Sequence, residues 1–552
     1  MMNRLKTIFL LTFLECLTAL AQQTIQLQGS WELATGDSAV YKDFVMLPGV
    51  VESSDKVWLK RGVYVPQDWK RQRVSLFLEC PQAGMSVFVN GTLVERVTLM
   101  DAPLQFDVSD VIIAGQRNAI EICADQRQDR QNGMLGRMEL RAQSRDLYIR
   151  QLHFRPYPFD GIIHMDLTIE GSDLRYDNPF AEVLVQREGQ DTATIYRAFF
   201  MLSGHHAVVD MPMGKEVSLW DEFHPSLYRI AITVGEDYYE TTVGMRELSM
   251  DGNLLMINRR PLFLRGVVLD GASCTTNQQL SDEQAWRDVL QRYKQGGFNL
   301  VRFRSSCPPD AAFSVADRLG IYLQPGAAST IQAKRIIDAY GHHPSFLLMA
   351  VEDSVEEASE RLEKLKEYDP SRIFCSPSSE GWIWDDGSPF NVKDLQSDYK
   401  KEIEHVLQAG DHTGFQVSAS DWEKSNIPER EWKESCSPVV LMARFPKSDY
   451  TTADTLTVPL DAVNAYYGEL RAARVAYFIC NDSLKVLASG QLSVGDLPFG
   501  KNTDIGTVSF PLDSIPDSGK YSLYVTVSGI ASNHWDFWVR REESPAGGGP
   551  SL

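Results

Sequence analysis

Phe298-Asn299-Leu300-Val301-Arg302-Phe303, Ile321-Tyr322-Leu323-Gln324 and Phe346-Leu347-Leu348-Met349-Ala350-Val351 are short, nearly unbroken apolar runs, and what lies between them decides the fold. Residues 309–319 separate the first two runs and residues 331–340 the second two, both with helical texture. A strand covered on both faces shows no polar alternation, which is the pattern of a parallel sheet buried under helices. Strands alternating with helices therefore predict an α/β layer. Working outward, Leu262-Phe263-Leu264-Arg265-Gly266-Val267-Val268-Leu269 reads as an earlier buried strand. A helix over 281–295 follows it, with Ser281 as N-cap and Glu283 in the first turn. Downstream, a charged helix over 355–368 leads to the strand Ile373-Phe374-Cys375-Ser376, with weaker strand signals at 382–384 and 414–418.

This region, 256–436, reads as a shortened TIM-type (β/α)8 barrel, because a full barrel needs about 250 residues and rarely fewer than ~200. On either side the texture is β. Residues 22–145 carry alternating runs such as Val74-Ser75-Leu76-Phe77-Leu78, and Asn90-Gly91 supplies the positive φ that a tight hairpin requires. They predict a jelly-roll-like β-sandwich, in which Trp31, Trp58 and Trp69 are core residues. Residues 146–255, with Met165-Asp166-Leu167-Thr168-Ile169 and Tyr228-Arg229-Ile230-Ala231-Ile232-Thr233-Val234, predict an immunoglobulin-like sandwich. Residues 437–543 predict a second one, and the Gly/Pro/Ser-rich 544–552 a disordered tail. The fold class is thus multidomain, β together with α/β.

The first 21 residues have signal-peptide character. Arg4 and Lys6 precede the apolar run Ile8 to Leu14, and Ala19-Leu20-Ala21 offers a small-x-small cleavage site before Gln22. Export to a bacterial periplasm or extracellular space is the expectation, and no further stretch approaches the ~20 apolar residues of a spanning helix. A net charge of −20 repels phosphate backbones, so nucleic acid is not an expected partner. The eight cysteines include no close C-x-x-C pair, which argues against structural zinc, and most read as buried small apolar residues. H-E-x-x-H, G-x-S-x-G and P-loop patterns are absent, and His342-His343 reads as a turn feature. No cofactor or metal is expected.

Ordered fragments then bring in a resemblance. Leu47-Pro48-Gly49, Val65-Pro66-Gln67-Asp68-Trp69-Lys70 and Val87-Phe88-Val89-Asn90-Gly91 stand in the first β region, closed by Gly136-Arg137-Met138-Glu139-Leu140. Phe263-Leu264-Arg265-Gly266, the run from Phe298 through Cys307-Pro308-Pro309 to Phe313, Ala316-Asp317-Arg318-Leu319-Gly320 and His343-Pro344-Ser345-Phe346 follow in the α/β region. Trp535-Asp536-Phe537-Trp538-Val539 ends the series. In this order the chain resembles glycoside hydrolase family 2, which includes β-galactosidases, β-glucuronidases and β-mannosidases. The resemblance implies a carbohydrate partner and a retaining mechanism using two carboxyl groups about 5–5.5 Å apart at the barrel mouth.

The family's acid/base is the glutamate of a Gly-Asn-Glu motif after His-Pro-Ser; here the triplet falls on Glu352-Asp353-Ser354, which puts Ser354 at the glutamate position. A serine hydroxyl has no acidic proton near neutral pH. Glu352 and Asp353 are candidates for a shifted acid, and Glu380 is the best-placed nucleophile candidate, with Asp421 another. Asp270, Arg302, Arg304, Trp382 and Trp384 are candidate sugar contacts, the two tryptophans facing one way in an extended segment. Three functions follow: a glycan- or partner-binding homologue that has lost retaining catalysis, an active exo-β-glycosidase of β-galactosidase type, or a structural assembly module.

Overall fold

Asn90 and Gly91 adopt φ of 51° and 79° and turn strand Met85–Val89 into Thr92–Val97, as the Asn-Gly pair requires. The computed structural model describes residues 23–541 except 52, 54, 82–83, 99–101, 125–131, 172–179, 190–195, 202–204, 215, 253, 270–281, 305, 352–357, 376–382, 386–394, 410–412, 426, 501 and 528. The chain divides into two units, one of Met1–Leu248, Leu269–Gln291 and Val301–Ser379, the other of Ser249–Val268, Arg292–Leu300 and Glu380–Leu552.

The first unit begins with two antiparallel sheets. One runs Gln23–Gln26, Asn132–Ser144, Gln72–Pro81, Leu104–Asp107, with Gly49–Val51 also on Asn132–Ser144. The other runs Asp43–Leu47, Gly29–Thr35, Val57–Tyr64, Arg117–Ala124, Met85–Val89, Thr92–Val97. Their inward faces form one apolar cluster around Trp31, Trp69, Leu76 and Phe106. Trp58 departs from the expectation of a core residue. Strand alternation buries Val57 and Leu59, so Trp58 lies on the outer face, half-buried against Phe88 with ring centroids 6.0 Å apart.

Next come a sheet of Tyr148–Tyr157, Ile162–Glu170 and His206–Pro212 and a sheet of Tyr196–Met201, Phe180–Arg187, Leu227–Val234 and Asp237–Gly244. Ile163, Met165, Leu167 and Ile169 alternate into the cluster that these two sheets share.

Parallel strands follow in the same unit: Gly326–Ala327, Leu348–Val351 and Ile373–Cys375 pair in register. Helices Asp310–Leu319, Thr330–Tyr340 and Ala358–Tyr368 belong to this layer. Every residue of Leu348–Val351 is buried, as its unbroken apolar sequence implies. Ser329 caps the second of these helices by accepting from the Gln332 N–H, and Gly320 ends the first with φ 68°. At Glu283–Gln295 the capping side chain is Asp282, whose Oδ1 accepts from the Ala285 N–H at 2.8 Å; Ser281 lies outside the described residues. The aspartate is one residue nearer the first turn, and its carboxylate suits the positive helix end.

In the second unit, Leu264–Leu269 pairs in parallel with Gly414–Ser418, which pairs in parallel with Ile383–Asp385. The terminal β region stacks Val439–Ala443, Thr455–Asn464 and Asn502–Pro511 on a five-stranded sheet running Asp449–Thr451, Ala531–Arg540, Gly519–Val527, Leu470–Asn481, Val486–Leu497. Leu460, Val475, Leu523 and Phe537 centre its core. The molecule is thus mostly β and multidomain, with an α/β region whose described strands do not close into a ring. Cys80, Cys123, Cys307, Cys375, Cys436 and Cys480 are all buried, and no disulfide joins two described cysteines. Among the described residues no helix is long and apolar enough to cross a membrane.

Candidate functional site

Of the residues singled out in the sequence, Glu352, Asp353, Ser354, Glu380, Asp270 and Trp382 lie outside the described residues. Trp384 is described only by its place in strand Ile383–Asp385. Arg302 is buried inside strand Leu300–Phe303. Arg304 stands just past the strand end and is exposed, its N–H donating to the Leu269 carbonyl at 3.0 Å. A two-residue step keeps both on one face, but the end of the strand separates a core position from a solvent position. Asp421 lies in the first turn of helix Ala419–Lys424 and is half-buried.

The described ionisable groups converge elsewhere, in the first unit. Strand Asn132–Ser144 is interrupted by a register shift between Leu135 and Met138, where Gly136 takes φ 78°. Such a bulge re-aims backbone groups. Here it turns the Arg137 N–H onto Glu79 Oε2 and opens space for that carboxyl: a Cβ on Gly136 would lie 2.2 Å from Glu79 Oε2. Glu79 Oε1 accepts from the Asp310 N–H at 2.8 Å and from the Tyr340 hydroxyl at 3.1 Å. The first sandwich is thereby tied to the N-terminus of helix Asp310–Leu319, where a carboxyl group complements the helix dipole.

Beyond Glu79 the network continues through Arg137, 3.7 Å from Glu79 Oε1 and 3.5 Å from Asp310 Oδ1. His343 lies along the same helix, with Nε2 3.2 Å from Asp310 Oδ1 and Nδ1 2.6 Å from Asp317 Oδ2. Asp317 Oδ1 also accepts the Ser345 N–H at 2.9 Å, which anchors the His-Pro-Ser turn. The environments push these groups apart. Burial opposes charge on His343, but Asp317 and Asp310 outweigh it and raise the imidazole to about 9. Burial also works to raise Asp310, yet the His343 hydrogen bond and the Arg137 charge hold it below the usual carboxylate range. Glu79, 1% exposed, is raised by burial. His342 is held neutral by burial and by the charge on its neighbour.

A cleft of ≈1000 Å³ opens over this network, lined by Arg137, Arg141, Asp310, Arg335, His342 and His343 among others. Arg141 lies over the Phe77 ring at 3.6 Å and pairs with Glu139 at 2.7 Å. The arrangement can hold a polar ligand or a cation. Within the network, Glu79 is buried beneath the cleft and Asp310 is engaged by Arg137 and His343. In the sequence Asp317 and Arg137 appeared only as parts of ordered fragments, and His343 also as half of the His342-His343 turn feature. Glu79 carried no signal there, since a glutamate in an apolar strand acquires its partners only when residues 137, 310 and 340 arrive.

Comparison with known proteins agrees with this architecture. The model of a domain of unknown function, DUF8488, matches residues 454–540. The β-galactosidase of Actinobacillus pleuropneumoniae is 25% identical over 271 residues, covering 46% of this chain and 25% of that protein. The chain spans a quarter or less of the length of the first curated relatives it matches, all β-galactosidases. The β-D-mannosidase structure from Dictyoglomus thermophilum superposes with a TM-score of 0.68 at 14% identity, covering 94% of this chain and 89% of that one. A glycosyl hydrolase family 2 member from Bacteroides cellulosilyticus gives 0.63 at 13% identity, covering 93% and 84%. Local sequence and overall fold together make this chain similar to glycoside hydrolase family 2, the family that its ordered motifs resemble.

Proposed function

We propose that the chain is an exported, carbohydrate-binding relative of glycoside hydrolase family 2 that does not perform retaining double displacement. The observation that carries this reading is Ser354, at the position of the family's acid/base glutamate nine residues or so beyond the His343-Pro344-Ser345 turn. That turn is seated by Asp317 and leads into the strand Leu348–Val351. Loss of a positioned general acid alone costs roughly 10²–10⁴ in rate. On this reading 1–21 is a signal peptide, and 256–436 is a shortened (β/α)8 barrel between a jelly-roll-like and immunoglobulin-like sandwiches. The protein works in a bacterial periplasm or outside the cell. Asp270, Arg304, Trp382 and Trp384 are the residues proposed to contact glycan; Arg302, buried inside its strand, leaves that set.

A second reading rests on Glu352 and Asp353, the carboxylates that directly precede Ser354. It makes the chain an exo-β-glycosidase of β-galactosidase type with a shifted acid and a nucleophile that the sequence does not identify, Glu380 being the best-placed candidate. One panel of aryl β-glycosides, assayed with the wild type, Glu352→Gln and Asp353→Asn, separates the two. The expected result is no turnover above background in any of the three, with saturable binding of the wild type to an oligosaccharide array. Turnover that either substitution abolishes would overturn the first reading in favour of the second. Absence of both turnover and glycan binding would leave an assembly module.

A further inference from the structure

The floor of the cleft in the first unit carries donor atoms for which glycan binding has no evident use. Asp310, His342 and His343 each offer a carboxylate oxygen or ring nitrogen, and these atoms all lie within 4.8 Å of one another. The two histidines are adjacent in sequence, and such neighbours ordinarily diverge. Here the turn that follows helix Thr330–Tyr340 brings their rings to 4.0 Å, centroid to centroid, with 37° between planes. Both therefore border the same space.

We propose that Asp310, His342 and His343 form a binding site for a divalent transition-metal ion of the zinc, cobalt or nickel kind. Two imidazoles with one carboxylate are the donor set that such borderline ions favour over the all-oxygen sets of calcium and magnesium. A metal-binding histidine usually donates its other ring N–H to a carboxylate, which fixes the tautomer and aims the ligand nitrogen. His343 has that partner already: Nδ1 is 2.6 Å from Asp317, a residue 1% exposed. Its Nε2 faces Asp310 Oδ1 at 3.2 Å, and a bound cation takes the place of the proton between them.

The ≈1000 Å³ cleft gives an ion its path from solvent and space for water to complete a four-coordinate shell. The site does not depend on whether the chain turns over a glycoside.

Titration of the chelator-treated, full-length protein with Co²⁺ tests this. One equivalent is expected to bring up visible ligand-field bands, which Zn²⁺ then displaces, and to raise the melting temperature. His342→Ala removes a partly exposed ring and so leaves the metal-free melting temperature unchanged. It should weaken Co²⁺ binding by at least about tenfold, and Asp317→Asn, acting through His343, by about 10–100-fold. No ligand-field bands, or bands of unchanged affinity in His342→Ala, would overturn the assignment.

Discussion

At Gly136 the backbone takes φ 78°, and a Cβ added there would meet Glu79 Oε2 at 2.2 Å and Pro309 Cβ at 3.0 Å. Neither neighbour can withdraw cheaply. The Glu79 carboxyl is held by donors from Arg137, Asp310 and Tyr340, and Pro309 is the N-cap residue of a helix. An alanine therefore combines left-handed backbone strain with overpacking and displaces a buried acid from its partners. These terms together should lower stability by about 2–4 kcal/mol. Urea denaturation of Gly136→Ala checks this; a loss under 1 kcal/mol would show that the bulge yields. His343 shows how strongly a residue's role depends on neighbours distant in sequence. As part of His-Pro-Ser it reads as a turn residue, and only the side chains at 310 and 317 make it the middle of a hydrogen-bonded chain of charges along a helix.

In the second unit, helix Leu395–Ala409 is fastened to strand Ala531–Arg540 by another buried acid. Glu404 accepts from Asn533 Nδ2 at 3.1 Å and Trp535 Nε1 at 3.0 Å, while Lys400 and His534 both engage Glu434, at 2.9 and 2.8 Å. Burial outweighs the nearby Lys400 and raises Glu404 from 4.5 to about 7. A carboxyl group raised in the folded state stays protonated there while the unfolded chain ionises. Its contribution to stability is therefore lost as pH rises from 4.5 to 7, and the cost is constant above that. The shift corresponds to up to about 3 kcal/mol. Glu404→Gln keeps an acceptor for Asn533 and Trp535 without the titrating proton. The variant should match the wild type near pH 4 and exceed it by about 1–3 kcal/mol at pH 8, as measured by urea midpoints across pH. Equal stability at both pH values would show that Glu404 ionises freely in the folded protein. The strand around it was plain from the alternation of Trp535, Phe537 and Val539, but the acid that meets it comes from a helix some 130 positions earlier.

For the molecule as a whole, three separate apolar clusters serve the three sandwich regions, two in the first unit and one in the second. Cooperative all-or-none unfolding belongs to single cores, and multidomain chains depart from it. Differential scanning calorimetry should resolve more than one transition, with a calorimetric enthalpy above the van't Hoff value. A single transition with equal enthalpies would mean that the two units unfold as one. The long-range field set by a net charge of −20 bears on solubility and on which ligands approach, and leaves the topology untouched.

What the chain's own order of residues determined is the local pattern and its succession. Alternating runs made sandwich strands, unbroken apolar runs made buried parallel strands, and Asn90-Gly91 made a hairpin, since each depends on neighbours within a few positions. The same residues, as ordered motifs, carry the resemblance from which the proposal about Ser354 starts. Tertiary structure alone decided which face Trp58 takes and that Arg302 is buried while Arg304 is exposed. It also decided that Glu79, Arg137, Asp310, Asp317, Tyr340 and His343 form one network. These facts depend on charges and hydrogen bonds that form between positions up to 261 residues apart. Periodicity can show that a strand exists, but the partner of a buried carboxyl is settled only when distant elements pack and leave it no water.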